Sequence, residues 1–532
     1  AKRSGAQKGG ELMELNSARR IADFPERFNA AENLLGANLA AGRGDKAAII
    51  DNKGALSYGE LAERVDRMAG AWESLGVKPG DRVLLCLLDT RDFPTVFLGA
   101  IKAGVVPVPL NTLMTADDYR WILKNSDARA VFVTGDLAEK WGEIAEDEES
   151  VLFISSEGGP WPDLEDVLRA ARASSDVAPT RRDDTAFWLY TSGSTGRPKG
   201  AMHRHASMRL AANLYGRGAV GMHEDDVVFS VAKQFFAYGL GNSLIFPCAV
   251  GATAILHRER VTPDVVDRIL SEHPVSFFAG VPTFYAGWLR RPNCPDKSAA
   301  GSLRVAISAG EALPAHLGEA FRARFGVDIH DGLGSTEMLH IFLTQRPGAV
   351  RYGCTGKPVD GYAVRLVDDD GLEVGEGEIG NLHVSGPTSA SAYWRNPEKS
   401  AAAFQGEWTI TGDKYIRDAD GWYTYAGRGD DMLKVGGIYV SPIEVEEALA
   451  CHEDVVEAAV VGAEDEAGLV KPHAFVVLRE GVAEDEPKAD ELRAHVKSKL
   501  APYKYPRWIS FVGELPKTAT GKIQRFRLRD QA

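Results

Sequence analysis

Apolar positions follow two rhythms along this chain. Short continuous runs at 83–88, 128–133 and 186–190 have the length and composition of strands buried on both faces. Elsewhere the spacing is helical: after Ser57 and Glu60, which form an S-x-x-E capping box, Leu61, Val65, Met68, Trp72 and Leu75 recur on one face. Further apolar runs predict strands at 47–51, 105–108, 151–155, 227–231, 252–256, 275–279 and 303–308, with helices at 96–103 and 263–270. Such alternation predicts an α/β fold built on largely parallel, helix-covered sheets. From about 350 to 425 the texture changes to short strands (363–367, 379–384) between turns, which predicts a small β-barrel-like subdomain. Beyond 428 a compact α+β unit is expected, with a helix from Ser441-Pro442, strands at 458–461 and 473–477, and a helix near 489–500.

Length and charge narrow the function. At 532 residues the chain exceeds what one core serves and should divide into domains. Its 75 acidic against 61 basic residues, a net charge of −14, make nucleic acid a poor partner. Five scattered cysteines (Cys86, Cys248, Cys294, Cys354, Cys451) form no C-x-x-C pair, so neither a zinc site nor a disulfide framework is expected, in keeping with reducing cytoplasm. Residues 1–20 are polar without an apolar core, so they read as a tail rather than a signal peptide, and no apolar stretch reaches membrane-spanning length.

The chemistry concentrates at 190–200, Tyr-Thr-Ser-Gly-Ser-Thr-Gly-Arg-Pro-Lys-Gly. Thr191, Ser192, Ser194 and Thr195 bring hydroxyls, and Gly193, Gly196 and Gly200 expose backbone N–H groups. Arg197 and Lys199 add positive charge, so the set suits a polyphosphate. Composition alone would favour a surface Ser/Gly linker, but the apolar 186–190 run leading into it argues for a strand-anchored phosphate loop. It is not a Walker A loop: Pro198 precedes the lysine, and Gly200, not Ser or Thr, follows it.

Other motifs are weak singly. The stretch His330-Asp-Gly-Leu-Gly-Ser-Thr-Glu337 follows an apolar strand candidate and offers a hydroxyl (Thr336) and a carboxylate (Glu337) for a phosphate and its Mg²⁺; a Gly-rich strand-to-helix turn would look similar. Asp413 in Thr411-Gly-Asp could accept from ribose hydroxyls or serve a turn, and Lys522, alone, reads as a surface charge. Two decoys fall away. The G-x-G-x-x-G at 375–380 precedes a strand rather than a helix and carries two glutamates, so it is a turn, and His203 and His205 lack further metal ligands of suitable spacing.

Taken together, 190–200, 332–337, 411–413, 427–431 and 516–522 match in order and spacing the acyl-adenylate-forming superfamily, which the chain resembles from about residue 26 onward. Stretches 232–241, 308–314, 335–342 and 500–506 resemble bacterial benzoate–CoA ligases most. The resemblance implies a flexible tail over 1–25, an ATP- and acid-binding domain over 26–428, a hinge at 429–431 around Asp430, and a mobile lid over 432–532. It implies that Thr191, Ser192, Gly193, Ser194, Thr195, Gly196 and Lys199 bind the ATP phosphates, that Thr336 meets the α-phosphate, and that Glu337 binds Mg²⁺. Gly310, Glu311, Asp331 and Gly332 would flank adenine, with Asp413 and Arg428 at the ribose. Lys522 would catalyse adenylation, and Lys434, Gly436 and Gly437 would serve the thioester step along the coenzyme A tunnel.

Phe236, Ala237, Tyr238, Ala309, Gly334, His340 and Ile341 fall where that family builds its acid pocket, and small residues between aromatic ones suit a flat ring. The expected activity is therefore an AMP-forming aryl-acid–CoA ligase using ATP, Mg²⁺ and coenzyme A, with benzoate first, then 2-aminobenzoate or a hydroxybenzoate; loading of a carrier protein is the alternative. The expected partner is a small aromatic acid, with no nucleic acid or membrane, in a cytoplasmic monomer or homodimer. Gln234, Tyr238 and His340 are the polar groups placed to read the ring edge.

Overall fold

Apolar runs become sheet centres. In the computed structural model, which describes residues 15–191, 197–297, 300–429, 431–435, 438–465, 470–500, 504–517 and 523–532, the chain divides into two compact units. The larger comprises 1–352, 356–363 and 384–409, and the smaller 353–355, 364–383 and 410–532.

Two parallel sheets organise the larger unit. Val106–Pro109, Arg82–Cys86, Ala128–Thr134 and Leu152–Ser156 lie side by side, all parallel. A nine-stranded sheet runs Lys357–Pro358, Ile341–Thr344, Ile329–Gly334, Val305–Ala309, Phe277–Gly280, Val227–Ser230, Thr253–Ile255, Ala47–Asp51, Gly54–Ser57. Its six middle strands are parallel and its edges antiparallel. Helices cover these sheets. In Tyr58–Ser74 the capping box forms as expected, Ser57 accepting from Glu60 N–H while Glu60 accepts from Ser57 N–H, and Leu61, Val65, Met68 and Trp72 are buried. The expected helix 96–103 begins earlier, at Asp92, because Arg64 binds the Asp92 carboxylate and Ser156 donates to it, which lets a buried acid open the helix.

The expected tail is shorter than 1–25. Asn213 donates to the carbonyls of Leu15 and Ala18, and Phe24 is buried edge-on against Phe28, so residues from 15 onward pack on the larger unit.

In the smaller unit, Trp408–Arg417 from residue 410 pairs antiparallel with Tyr423–Arg428. The 375–380 decoy is a turn into the strand Ile379–Ser385, closed by Gly375 N–H on Glu378. Val455–Glu464, Val470–Leu478 and Trp508–Phe511 form a sheet, with helices Pro442–Ala450 and Glu486–Lys499 contributing Val445, Leu449, Leu492 and Val496 to its core. No helix among the described residues is long and apolar enough to cross a membrane, and none of the five cysteines is in a disulfide.

Candidate active site

The two strands flanking the expected phosphate loop pair with each other. Thr185–Thr191 pairs antiparallel with Lys199–Arg204, Thr191 opposite Lys199 and Tyr190 opposite Gly200, with Phe187, Trp188 and Leu189 buried. Ser192, Gly193, Ser194, Thr195 and Gly196 lie outside the described residues. The strand pair holds Lys199 with its ammonium 4.6 Å from the centre of the Tyr393 ring, and Tyr393 donates its phenol proton to Glu337 Oε1 at 2.6 Å. Lys199 and Glu337, far apart in sequence, thus meet through a tyrosine the sequence reading passed over. One tyrosine in Ser-Ala-Tyr-Trp-Arg-Asn has no spacing signal to reveal it.

The 330–337 stretch needs a correction. It does not follow a strand; its first half is one, Ile329–Gly334, with Ser308 opposite Asp331 and Ala309 opposite Gly332 on the parallel neighbour. No helix follows either. Residues 335–340 turn back into Ile341–Thr344, with Gly334 opposite Ile341. Ser335 Oγ accepts from Met338 N–H, and Leu339 sits at φ 67°, a left-handed conformation unusual for leucine. The Glu337 carbonyl is taken by Ala390 N–H at 2.7 Å, which replaces the helical bond it would otherwise need. Thr336 and Glu337 therefore sit on a tight, externally braced turn.

Near them, Gly310 follows the strand Val305–Ala309 at φ 95°, where a side chain would be strained, and Glu311 comes next. Asp331 is buried, and burial pushes its carboxyl well above the ordinary carboxylate range despite the N–H groups of Leu313 and Gly332. Gly332 lies close under Ile341: an added Cβ would come 3.0 Å from it.

Aromatic rings gather around His340, one of the residues expected at the acid pocket. Its imidazole packs on Tyr238 (ring centres 5.7 Å apart, near-parallel), Tyr215 (5.0 Å) and Phe246 (4.5 Å, edge-on). Burial lowers its pKa to about 3, so it is neutral, and Nε2 donates to the Tyr238 carbonyl at 3.4 Å. His340 is thus a buried, neutral ring held by a backbone carbonyl. Gly241 makes room for it, since a Cβ there would stand 2.7 Å from Nε2, and a Cβ at Gly334 would stand 2.7 Å from the His340 carbonyl oxygen. Tyr238 donates to Gly280 O at 3.1 Å; Phe236, Ala237 and Tyr238 are half-buried, whereas Ala309 and Ile341 are buried.

The loop carrying these residues is pinned by an unexpected acid. Asp89 is buried and accepts from Gln234 N–H through both oxygens, at 3.1 and 3.3 Å. Burial raises its pKa to about 6, opposed by the nearby Lys233 and by that N–H. Lys233 itself donates to the carbonyls of His257 and Glu259.

The smaller unit brings together the expected ribose pair: Asp413 lies opposite Arg428 in register and accepts from its guanidinium at 3.0 Å. Asp413 N–H is taken by Thr411 Oγ1, and Gly412, at φ 76°, would put a Cβ 3.0 Å from Arg428 Nη2. Lys434 lies in the strand Leu433–Val435, opposite Tyr439. Asp430, Gly436, Gly437 and Lys522 lie outside the described residues.

Comparison with known proteins decides the family. The AMP-binding enzyme model matches residues 37–394, and the AMP-binding enzyme C-terminal domain matches 444–522. The chain belongs to the AMP-binding enzyme family. It is 56% identical to a benzoate–CoA ligase of Thauera aromatica over 95% of this chain and 96% of that one. A crystal structure of a benzoate CoA ligase from Burkholderia xenovorans LB400 is 52% identical with a TM-score of 0.88, spanning 94% of this chain and all (100%) of that one. The anthranilate CoA ligase AuaEII, solved with anthranoyl-AMP, is 40% identical with a TM-score of 0.91 over 96% of this chain and 98% of that one. The two matched segments bracket the expected phosphate loop, the 330–337 turn and, in the C-terminal one, Lys522 at its last position.

Proposed function

We propose that this protein is an ATP-dependent aryl-acid–CoA ligase of the benzoate type. It joins an aromatic carboxylate to AMP with release of pyrophosphate, then passes the aroyl group to the coenzyme A thiol with release of AMP. The observation that carries the reading is the aromatic enclosure of a neutral His340, beside the Lys199–Tyr393–Glu337 constellation. The benzoate and anthranilate ligases it resembles along nearly their whole length support the aryl substrate.

The chemistry asks little covalent work of the protein. The substrate carboxylate attacks the α-phosphorus, and negative charge grows on the phosphoryl oxygens and on departing pyrophosphate. Lys199 and the hydroxyls and amides of 191–196 would hold the phosphates, and Thr336 the α-phosphate, while Lys522 offsets the developing charge. Thr336 and Glu337 present oxygen donors of the hard type that Mg²⁺ prefers, and that ion, when bound, neutralises phosphate charge. Tyr393 holds the Glu337 carboxylate in place from one side at 2.6 Å. Gly310, Glu311, Asp331 and Gly332 would border the adenine, and Asp413 with Arg428 the ribose. The aroyl-adenylate is water-labile and favours a closed site. Thioester formation then falls to Lys434 and the Gly436-Gly437 segment, with Asp430 as the pivot between the two steps.

AMP formation from ATP and Mg²⁺ with benzoate, 2-aminobenzoate, 4-hydroxybenzoate and octanoate, each with and without coenzyme A, tests this. Coenzyme-A-dependent AMP release with an aryl acid is expected. Release indifferent to coenzyme A would point to a carrier-protein acceptor, and ADP in place of AMP would overturn the assignment.

A further inference from the structure

The described chain on either side of Lys522 is tied down by charge as well as by apolar packing. Before it, Lys517 donates to both carboxylate oxygens of Glu457, at 2.7 and 2.8 Å. After it, Ile523 pairs with Lys517 in an antiparallel bridge, and Gln524 N–H bonds back to Pro516 O at 2.8 Å. Leu515 and Leu528 pack with Val461 and Phe475 of the sheet. Arg525, first residue of the short helix Arg525–Arg529, then reaches in two directions. Its Nη2 donates to both oxygens of Glu446, at 2.9 and 2.8 Å, and its Nη1 lies 3.8 Å from Asp431 Oδ2.

Each carboxylate is itself fixed. Glu446, in the helix Pro442–Ala450, also accepts Val460 N–H at 2.7 Å, which locks it to the strand Val455–Glu464. Asp431, directly after the expected pivot Asp430, takes Arg529 as a second partner, and its own N–H bonds Arg428 O at 3.0 Å. The side chains of Arg525, Glu446 and Asp431 are only 16%, 11% and 18% exposed. An ion pair so far from water gains little net stability over apolar side chains of the same size, because desolvation offsets the attraction. What it adds is direction. A planar guanidinium shared between two fixed carboxylates has one orientation, whereas the apolar contacts of Leu515 and Leu528 carry no such preference.

We infer that Arg525, held by Glu446 and Asp431, is a positioning residue for Lys522. It sets the course of the chain three positions beyond that lysine and joins it to the residue next to the pivot. Adenylation, which uses Lys522, depends on this placement; the thioester step, which falls to Lys434, does not. The inference rests on the role proposed above for Lys522 and adds the residues that hold it to its task.

The test separates the half-reactions in the whole chain. ATP–pyrophosphate exchange reports adenylation with whichever aryl acid the AMP assay selects, and attack of coenzyme A on the preformed aroyl-adenylate reports the second step. Arg525→Lys keeps the charge but loses the fork; it should slow exchange by about tenfold or more and change the second step by less than about twofold. The double variant Arg525→Gln with Glu446→Gln removes both charges together, should show the same split, and guards against the first variant failing to fold. Equal slowing of both half-reactions, or slowing of neither, would make Arg525 merely structural and overturn this inference alone. Lys522→Ala is run alongside: if it leaves exchange intact, the role of Lys522 falls and this inference falls with it.

Discussion

Replacing Asp89 with asparagine should make the protein gain stability relative to the wild type as pH rises from 5 to 7.5. The carboxyl is buried, its bonded partner is the Gln234 N–H, and burial raises its pKa from 3.8 to about 6. A raised carboxyl pKa means the folded state holds its proton more tightly than the unfolded chain. The folded state therefore loses stability as pH climbs from about 3.8 to about 6 and loses no more above that. A shift of that size corresponds to about 3 kcal/mol at pH 7.5, of which about 1.4 kcal/mol accrues between pH 5 and 7.5. Asparagine keeps an oxygen for Gln234 N–H and has no proton to lose. Its amide nitrogen needs an acceptor, a cost of roughly 1–3 kcal/mol that does not vary with pH. The change in the Asp89→Asn difference with pH therefore isolates the carboxyl from that constant cost. Urea midpoints at fixed m-value, read at pH 5 and 7.5, should show the variant gaining about 1.4 kcal/mol on the wild type over that interval. An equal difference at both pH values would refute the buried, late-titrating carboxyl.

Tyr393→Phe removes the phenol that holds Glu337 while keeping the ring under Lys199; the Mg²⁺ concentration for half-maximal ATP–pyrophosphate exchange should rise about 3- to 10-fold, with weaker Mn²⁺ binding seen by paramagnetic resonance. Lys522→Ala should slow aroyl-adenylate formation by about 10²-fold or more while preformed aroyl-adenylate still reacts with coenzyme A; equal loss in both half-reactions would end that division of labour. Gly241→Ala places a methyl against the His340 imidazole and Phe246, so it should cost roughly 1–3 kcal/mol by urea denaturation and raise KM for the aryl acid more than KM for ATP.

Much of this scaffold was legible because its signals are local. Apolar runs such as 128–133 can satisfy both faces only inside a covered parallel sheet, and Ser57 with Glu60 announces a helix whatever packs on it. The strand pair carrying Lys199 was legible as one strand, the apolar run 186–190, and a loop; its returning strand Lys199–Arg204 mixes polar and apolar residues without a clean alternation. Groups whose roles depend on distant partners stayed hidden. Asp89 closes an apolar stretch and looks like a surface turn residue until Gln234, 145 positions away, donates to it. Tyr393 matters only through Glu337, 56 positions away.

The turn after Gly334 shows how tertiary bonds override a local pattern. The Ser335 hydroxyl takes the Met338 N–H in the manner of a helix cap. The helix nonetheless stops at this first bond. Ala390 N–H claims the Glu337 carbonyl, Tyr393 claims its side chain, and Thr388 donates to the Met338 carbonyl at 2.7 Å. With those carbonyls already paired, continuing the helix would gain little, and the chain reverses at Leu339 in a left-handed conformation to enter the strand Ile341–Thr344. The reversal sets Thr336 and Glu337 at the head of the turn and His340 at its foot. One strained residue thereby links the group expected at the α-phosphate to the wall expected against the ring, so a change at Leu339 should disturb nucleotide and acid binding together.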